Sequence, residues 1–450
     1  MTTSVMWFRR DLRLSDNPAL RVAIDAAESV VPLFVIDPVV WDTAGANRRW
    51  FLAGCLRDLD DQLDGRLIVR HGDPVDVVPE VARETDAGLV VHAADVGVYG
   101  RRRDDRVAEA LENDERARRI VDSPWARPPG SVRTKTGGVY KVFTPYHRTW
   151  VRGRFDDPIP RPRRIVTVDG VETDGVPDVG AVDATLPDPG ELAARRRVDR
   201  FLRSRVERYH EERDDPAADT TSRLSADLKF GTIHPRQLLA RLDRRKPGHD
   251  VFAQELAWRD FYAQVLDEWP ASAWSAWSNR LASIELDDGA DADERFDAWC
   301  RGRTGYPLVD AGMRQLVAEG WMHNRLRMVT ASFLVKDLHL DWTRGARYFL
   351  EHLVDGDLSS NNHGWQWVAG TGTDAAPYFR VFNPVAQSER FDPDGEYIRR
   401  WVPELADVDR ADVHRPWECE GGAPEAYPLP IVDHDEERDE ALRRYEAATG

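Results

Sequence analysis

A change of hydrophobic period divides this 450-residue chain and limits its fold more than any other feature. Up to about residue 130, apolar runs of strand length alternate with apolar residues at helical spacing. SVMWF (4–8), VVPLFVID (30–37), RLIVRHG (66–72) and GLVVHAAD (88–95) read as strands. SDNPALRVAIDAA (15–27) and RWFLAGCLRDLDDQL (49–63) read as helices, the first capped by Asp16 or Asn17 with Pro18 in its first turn. Strands alternating with helices imply a parallel sheet covered by helices, a Rossmann-like α/β domain over 1–130. The turn after the first strand, RRDLRLSDNP, lacks GxGxxG, so the dinucleotide fingerprint is absent. Residues 131–195 are rich in Pro, Gly, Asp and Arg and read as a long inter-domain connection. From 196 to 450 the apolar spacing is helical almost throughout, which predicts an all-α C-terminal domain.

The net charge is −17, and only five of the 62 basic residues are Lys. An acidic, Lys-poor chain suits a highly saline cytoplasm, where screening is strong. A GC-rich genome with an ordinary solvated acidic surface gives the same composition. The acidic total argues against nonspecific nucleic-acid binding but leaves room for a local basic rim. In high salt such a ligand is held more by stacking and shape than by phosphate contacts. The N-terminus has no apolar signal core and no run is long enough to span a bilayer, so a cytoplasmic protein without a membrane partner is expected. Cys55, Cys300 and Cys419 are far apart, with no CxxC, and no metal site is expected.

Five short segments carry candidate chemistry. TTSRLSADLKFG (220–231) surrounds Arg223 with the hydroxyls of Thr221, Ser222 and Ser225 at a helix start, which suits a phosphate or a plain helix cap. ELAWRDFY (255–262) puts Glu255, Trp258, Arg259 and Tyr262 on one helix face, as an ion pair among aromatics or as a surface for a base. GWMHNRLRMVTASF (320–333) places Asn324 and Met328 one turn apart, with Arg325 and Arg327 beside them. DGD (355–357) is an acidic turn able to pair with Arg or accept from hydroxyl and amino groups. NNHGWQW (361–367) joins neutral amides to two large aromatic faces with no aliphatic residue among them.

In order and spacing, these segments, with YHEERDD, TGYPLVDAGMRQL, DGDLSSNNHGWQWVAGTGTDAAPYFRVFNP and RRWVPEL, resemble the DNA photolyase and cryptochrome family. The likeness runs from WFRRDLRLSDNPAL to YPLPIVDH and is greatest to class I cyclobutane pyrimidine dimer photolyases. The resemblance implies an α/β antenna domain and a helical domain holding FAD. It implies that Tyr209, Thr221, Ser222, Arg223, Leu224, Ser225, Glu255, Arg259, Asn324, Arg327, Asp355, Gly356, Asp357 and Asn361 build the flavin pocket. The reaction it implies is light-driven electron donation from reduced FAD to a pyrimidine dimer, which splits and returns the electron. Asn361 would face the flavin N5, able to present its carbonyl or its amide NH₂.

By the same resemblance, damaged DNA presents a flipped-out dimer. Trp258 and Trp367 match the aromatic wedge beside Tyr262, while Glu255 and Asn324 read pyrimidine edges and Met328 adds an apolar contact. Arg213, Arg325 and Gln387 match DNA-contact positions. Asn324, where relatives acting on (6-4) photoproducts carry a second His, points to cyclobutane dimers, and the short C-terminus points away from a signalling cryptochrome without repair activity. Trp365 and Trp342 match the proximal and middle members of the Trp relay. The distal Trp, expected shortly before Trp299, is missing from LDDGADADERFDAW, leaving Trp274 and Trp277 as substitutes. DVGVYGRRRD (95–104) resembles deazaflavin-binding members, with Val98 in place of Pro. Asp37, Arg48, Asp95 and Lys229 are the antenna candidates, for 8-hydroxy-5-deazaflavin or alternatively methenyltetrahydrofolate. A monomer is expected.

Overall fold

The computed structural model describes residues 2–374 and 380–450, so the AAPYF part of the longest motif lies outside the described residues. Strands β1 (Thr3–Phe8), β2 (Ser29–Ile36), β3 (Ile68–His71), β4 (Ala87–Ala93) and β5 (Ala117–Val121) form one parallel sheet in the order β3-β2-β1-β4-β5. β1 and β2 are buried along their whole length, which is why their sequences run apolar instead of alternating. The crossover helices are α1 (Pro18–Ala26), α2 (Pro38–Asp42), α3 (Ala46–Gln62), α4 (Pro74–Glu84) and α5 (Val98–Asn113). Asn17 is the cap of α1, its side chain accepting from Leu20 N–H, while Asp16 turns away at φ 50° to accept from Ile159 N–H. Chain order reverses direction at β1, so a crevice opens beyond the carboxyl ends of β1 and β4. The architecture is the expected one: a parallel α/β N-terminal sheet followed by a largely helical C-terminal part.

Residues 131–195 are not one irregular run, because Phe143–Trp150 is a helix. Beyond it the chain lies along the sheet. Val30 N–H donates to Val166 O, and Thr167 pairs with Val30 below the short β3. On β3 itself, Val69 N–H donates to Thr173 Oγ1 at 3.0 Å, Asp174 N–H donates to Val69 O at 2.8 Å, and His71 N–H donates to Asp174 Oδ2 at 2.8 Å.

The chain forms two compact units that interleave in sequence. The first contains Met1–Val182, Pro187–Arg208 and Ser222–Pro270; the second contains Asp183–Leu186, Tyr209–Thr221 and Ala271–Gly450. Helix Pro247–Glu268 therefore packs with the sheet unit, its buried face including Phe252, Leu256 and Phe261. The second unit has a core around Trp299, Leu326, Phe349 and Trp365. GWMHNRLRMVTASF lies across helix Asn324–Ser332, which is followed by a wider turn at Phe333–Asp337. NNHGWQW is helical, within Leu358–Ala369. Among the described residues, no helix is long and apolar enough to cross a membrane, and no His, Cys, Asp and Glu cluster could hold a metal ion.

Candidate flavin and lesion site

Helix Leu358–Ala369 is the centre of the site in the second unit. Asp357 caps it, accepting from Ser360 N–H at 3.1 Å and from Ser359 Oγ at 2.5 Å. The Asp357 carboxylate is thus committed to the helix start. Asp355, one turn earlier, is buried and accepts from Arg327 at 2.8 Å through Oδ2. Its Oδ1 is buried without a hydrogen-bond partner. Arg327 is held in place by a second bond, Nε to Met322 O at 2.8 Å.

Asn361 donates through Nδ2 to Ala346 O at 3.0 Å and to Asn362 Oδ1 at 2.8 Å. Asn362, fully buried, donates in turn to Ala273 O. His363 joins the same strap. Its Nδ1 lies 2.7 Å from Ser359 O and its Nε2 2.8 Å from Ser272 Oγ, so the ring donates to the carbonyl and accepts from the hydroxyl. Burial lowers the His363 pKa to about 4, against smaller opposing effects of the Ser359 carbonyl and Asp357. Gln366 accepts from Trp277 N–H at 2.8 Å and donates to Ser272 O at 2.7 Å. Asn362, His363 and Gln366, which sequence reasoning left without a role, therefore bind this helix to residues 272–277.

Trp365 is buried against Gly345, where an added Cβ would sit 2.2 Å from its Cη2. Its ring meets Phe349 at 5.0 Å and Trp299 at 6.1 Å, both edge to face. Trp342 begins the neighbouring helix Trp342–His352 and is buried in the same core. Of the two substitutes for the distal relay member, Trp274 is exposed and packs under the Arg347 guanidinium, and Trp277 is half-buried. Trp367 is half-buried, its indole N–H donating to Asp374 O at 3.1 Å.

Other second-unit candidates take several forms. Asn324 is exposed, with its amide 3.9 Å from Met328 Sδ, so these two do share a face. Arg325 pairs with Asp214 at 2.9 Å and lies over the Phe391 ring at 4.3 Å. Arg213 lies over Tyr209 at 5.7 Å. Gln387 is half-buried on helix Pro384–Phe391, Gly356 is buried, and Thr221 Oγ1 is buried without a partner.

In the first unit, Glu255, Trp258, Arg259 and Tyr262 are the half-buried positions of Pro247–Glu268, as the helical spacing predicts. Arg259 donates to Pro124 O at 3.1 Å and Leu228 O at 3.0 Å, tying this helix to Ser225–Phe230. Trp258 stacks face to face on Phe143, with centroids 3.6 Å apart and planes 8° apart. It also meets Tyr262 at 5.4 Å. Ser222 Oγ accepts from Leu224 N–H at 3.4 Å, Arg223 adopts φ 53°, and Ser225 Oγ is buried without a partner. A positive φ at a non-Gly residue is a strained backbone of the kind that collects at binding sites.

The orphaned hydroxyls of Thr221 and Ser225 are donors suited to a phosphate, and Asp355 Oδ1 is an acceptor suited to an N–H or hydroxyl group. Within the second unit, Thr221 Oγ1 and Asp355 Oδ1 offer the kinds of donor and acceptor that a flavin nucleotide needs.

The antenna candidates lie in the first unit. Asp37, just after β2, accepts from Tyr99 Oη at 2.7 Å. Arg103 stands 3.6 Å from Asp37, 3.7 Å from Asp95 and 2.9 Å from Asp104, and Arg9 donates to Asp104 at 2.6 Å. Burial raises the Asp95 pKa, but Arg9, Arg10 and Arg103 outweigh it and hold the carboxyl below its usual range. Trp7 lies beneath both Arg9 and Arg103. The exposed side chains of Val39, Val40 and Tyr99 flank this network with apolar surface. Arg48 reaches Thr43 O at 3.4 Å, and the Lys229 ammonium lies 5.8 Å from the Phe230 ring. Arg9, Arg103 and Tyr99 were missed as site residues, although Tyr99 and Arg103 lie inside the DVGVYGRRRD motif.

Residues 4–163 match the family model described as DNA photolyase, and residues 252–447 match the FAD binding domain of DNA photolyase. A relative from Streptomyces griseus named deoxyribodipyrimidine photo-lyase is 46% identical, over 100% of both chains. The structure of a class III photolyase from Agrobacterium tumefaciens superposes with a TM-score of 0.92 at 34% identity, covering 100% of this chain and 98% of that one. A Synechocystis cryptochrome superposes with a TM-score of 0.90 at 26% identity, covering 98% and 99%. With full-length identity of this order and both family models matched, the chain belongs to the DNA photolyase family.

Proposed function

We propose that this protein repairs cyclobutane pyrimidine dimers in DNA, using light and bound reduced FAD. The observation that carries the proposal is the full-length identity to relatives named deoxyribodipyrimidine photo-lyase, joined to the orphaned polar atoms of the site. When bound, reduced FAD supplies the electron that light moves to the dimer. Thr221, Ser222, Arg223, Leu224 and Ser225 would hold its phosphates, and Tyr209, Glu255, Arg259 and Asn324 would complete its binding set. Arg327 and Asp355 would hold its ring, where the Arg327 guanidinium would balance negative charge.

Trp258 and Trp367 receive the flipped dimer by stacking, a contribution of roughly 1–3 kcal/mol per base. Phe143 holds the Trp258 ring face-on, which limits its motion before the lesion arrives. Glu255 and Asn324 contact pyrimidine edges, Met328 adds an apolar surface, and Tyr262 backs Trp258. Arg213, Arg325 and Gln387 contact the DNA strand, Arg325 by leaving or sharing its bond to Asp214. Trp365 and Trp342 would serve as the electron relay toward the bound flavin. The class I reading, the single-chain state and the division at 130 and 195 belong to this proposal.

For the antenna, the ring of charges at Asp37, Asp95 and Arg103 beside exposed Val39 and Val40 favours a flat, polar-edged chromophore. The motif likeness favours 8-hydroxy-5-deazaflavin over methenyltetrahydrofolate. Absorption spectra of chromophore extracted from native cells distinguish the two.

The test is to mix the reduced holoprotein with thymine-dimer DNA under blue light. Dimers disappear in the light and persist in the dark. Equal persistence in both refutes repair and favours a cryptochrome-type photoreceptor.

A further inference from the structure

The side-chain amide of Asn361 is an acceptor whose direction is fixed by two backbone carbonyls. Both of its N–H bonds are used, one by Ala346 O at 3.0 Å and the other by Asn362 Oδ1 at 2.8 Å. Reversing the Asn361 amide would set its oxygen against those two acceptors. Reversing Asn362 as well would set the Asn362 oxygen against Ala273 O, to which its Nδ2 now donates. Backbone carbonyls cannot reverse, so the network has one consistent orientation. It leaves Asn361 Oδ1 as the one polar side-chain atom of this residue with no partner among the described residues, on a half-buried side chain. The expectation that this amide could present either its oxygen or its NH₂ is narrowed accordingly.

We infer that Asn362 is a positioning residue that locks Asn361 as a hydrogen-bond acceptor toward bound FAD, favouring the flavin that carries a proton at N5. The inference rests on the proposal that Asn361 faces that atom. Oxidised flavin has a bare N5, which an acceptor repels; reduced flavin has N5–H, which an acceptor binds. The lock therefore favours the reduced form through a neutral amide. Asn362 itself is buried and touches no ligand; it acts through Asn361.

The experiment measures the two-electron midpoint potential of FAD in the holoprotein and in Asn362→Leu, Asn361→Leu and the double variant. Asn362→Leu removes one of the two acceptors that hold the Asn361 amide, leaving Ala346 O alone against its turning to donate to bare N5. A net hydrogen-bond contribution near 1 kcal/mol corresponds to roughly a five- to tenfold loss of preference for reduced flavin. For a two-electron couple, tenfold is about 30 mV, in the negative direction. Asn361→Leu should lower the potential also, and Asn362→Leu should add nothing to it. If Asn361→Leu shifts the potential and Asn362→Leu does not, the lock is refuted while the flavin contact stands. If neither shifts it, the placement of Asn361 is refuted. Should Asn362→Leu fail to fold, the unaltered holoprotein labelled with 13C-Asn gives the same decision. Its reduced-minus-oxidised infrared spectrum should contain an isotope-sensitive amide carbonyl band that moves to lower frequency on reduction; a spectrum without one overturns the inference.

Discussion

His363 gives helix Leu358–Ala369 a built-in acid sensitivity. The ring is 1% exposed, donates to Ser359 O and accepts from Ser272 Oγ. Protonation would put a second N–H against the Ser272 hydroxyl and bury a charge away from bulk solvent. The folded-state pKa is about 4 against an ordinary 6.5. The lowered value means that the folded protein binds this proton less readily than the unfolded chain. Its stabilising effect is complete above about pH 6.5 and is lost as pH falls toward about 4. A shift of this size amounts to about 3 kcal/mol over the whole window, and about 2 kcal/mol by pH 5. In a unit of this length, the pH 5 loss is roughly 4–8 °C in Tm.

Other buried histidines, among them His92, His234 and His414, are also lowered, chiefly by burial, so acid weakens the protein through several groups at once. His363→Gln isolates the one in question, because Gln does not titrate and the other histidines are common to both proteins. The assay is thermal unfolding followed by near-UV circular dichroism from pH 8 to pH 5, with FAD in excess. His363→Gln should be less stable than the parent at pH 8, but should lose less on acidification, by the amount given above. Parallel Tm curves for the two proteins would show that His363 is not the buried neutral group argued here.

Trp367→Ala should weaken binding of dimer-containing DNA by roughly ten- to a hundredfold while FAD stays bound, as stacking of about 1–3 kcal/mol per base requires; titration of labelled duplex checks it. Arg327→Met leaves buried Asp355 with neither oxygen partnered, and should cost roughly 2–3 kcal/mol of stability and lower FAD content on purification, read from the ratio of flavin to protein absorbance. Gly345→Ala puts a methyl 2.2 Å from Trp365 Cη2 and 2.7 Å from Leu334 Cδ2, so it should destabilise by roughly 1–3 kcal/mol and slow flavin photoreduction, followed as bleaching of oxidised FAD under blue light. With a net charge of −17, the protein should gain Tm as KCl rises from 0.1 M toward 1 M, where the screening length falls from about 10 Å to about 3 Å; a flat or falling Tm argues against salt adaptation.

The sheet was legible because β1, β2 and β4 are apolar runs whose period and length leave little choice. β5 was missed because ARRIV is a charged edge strand, mostly exposed, which carries no core signal. The shared face of Glu255, Trp258, Arg259 and Tyr262 was legible for the same reason as the strands, a local period. Long-range partnerships were not. Nothing in NNHGWQW says that Asn362 meets Ala273, 89 residues away, or that Arg103 stands between Asp37 and Asp95. Motif order supplied candidate roles where such contacts were invisible, but it said nothing of partners: Arg325 on Asp214 and Asp357 on its own helix are commitments visible only in three dimensions.

The bonds from residues 166–174 to β2 and β3 make the Pro- and Gly-rich stretch more than a tether. β3 is an edge strand, and the donors and acceptors met there by Thr173 and Asp174 are the ones a strand from another molecule would seek. An acidic guard of this kind protects a concentrated protein from sheet-to-sheet association, at a place where net charge alone is heavily screened in salt. Two routes of chain engineering follow. Exposed positions such as Asp178 and Gly180 can accept insertions, whereas a flexible Gly/Ser replacement of 166–174 would keep the chain connected and still uncover the edge.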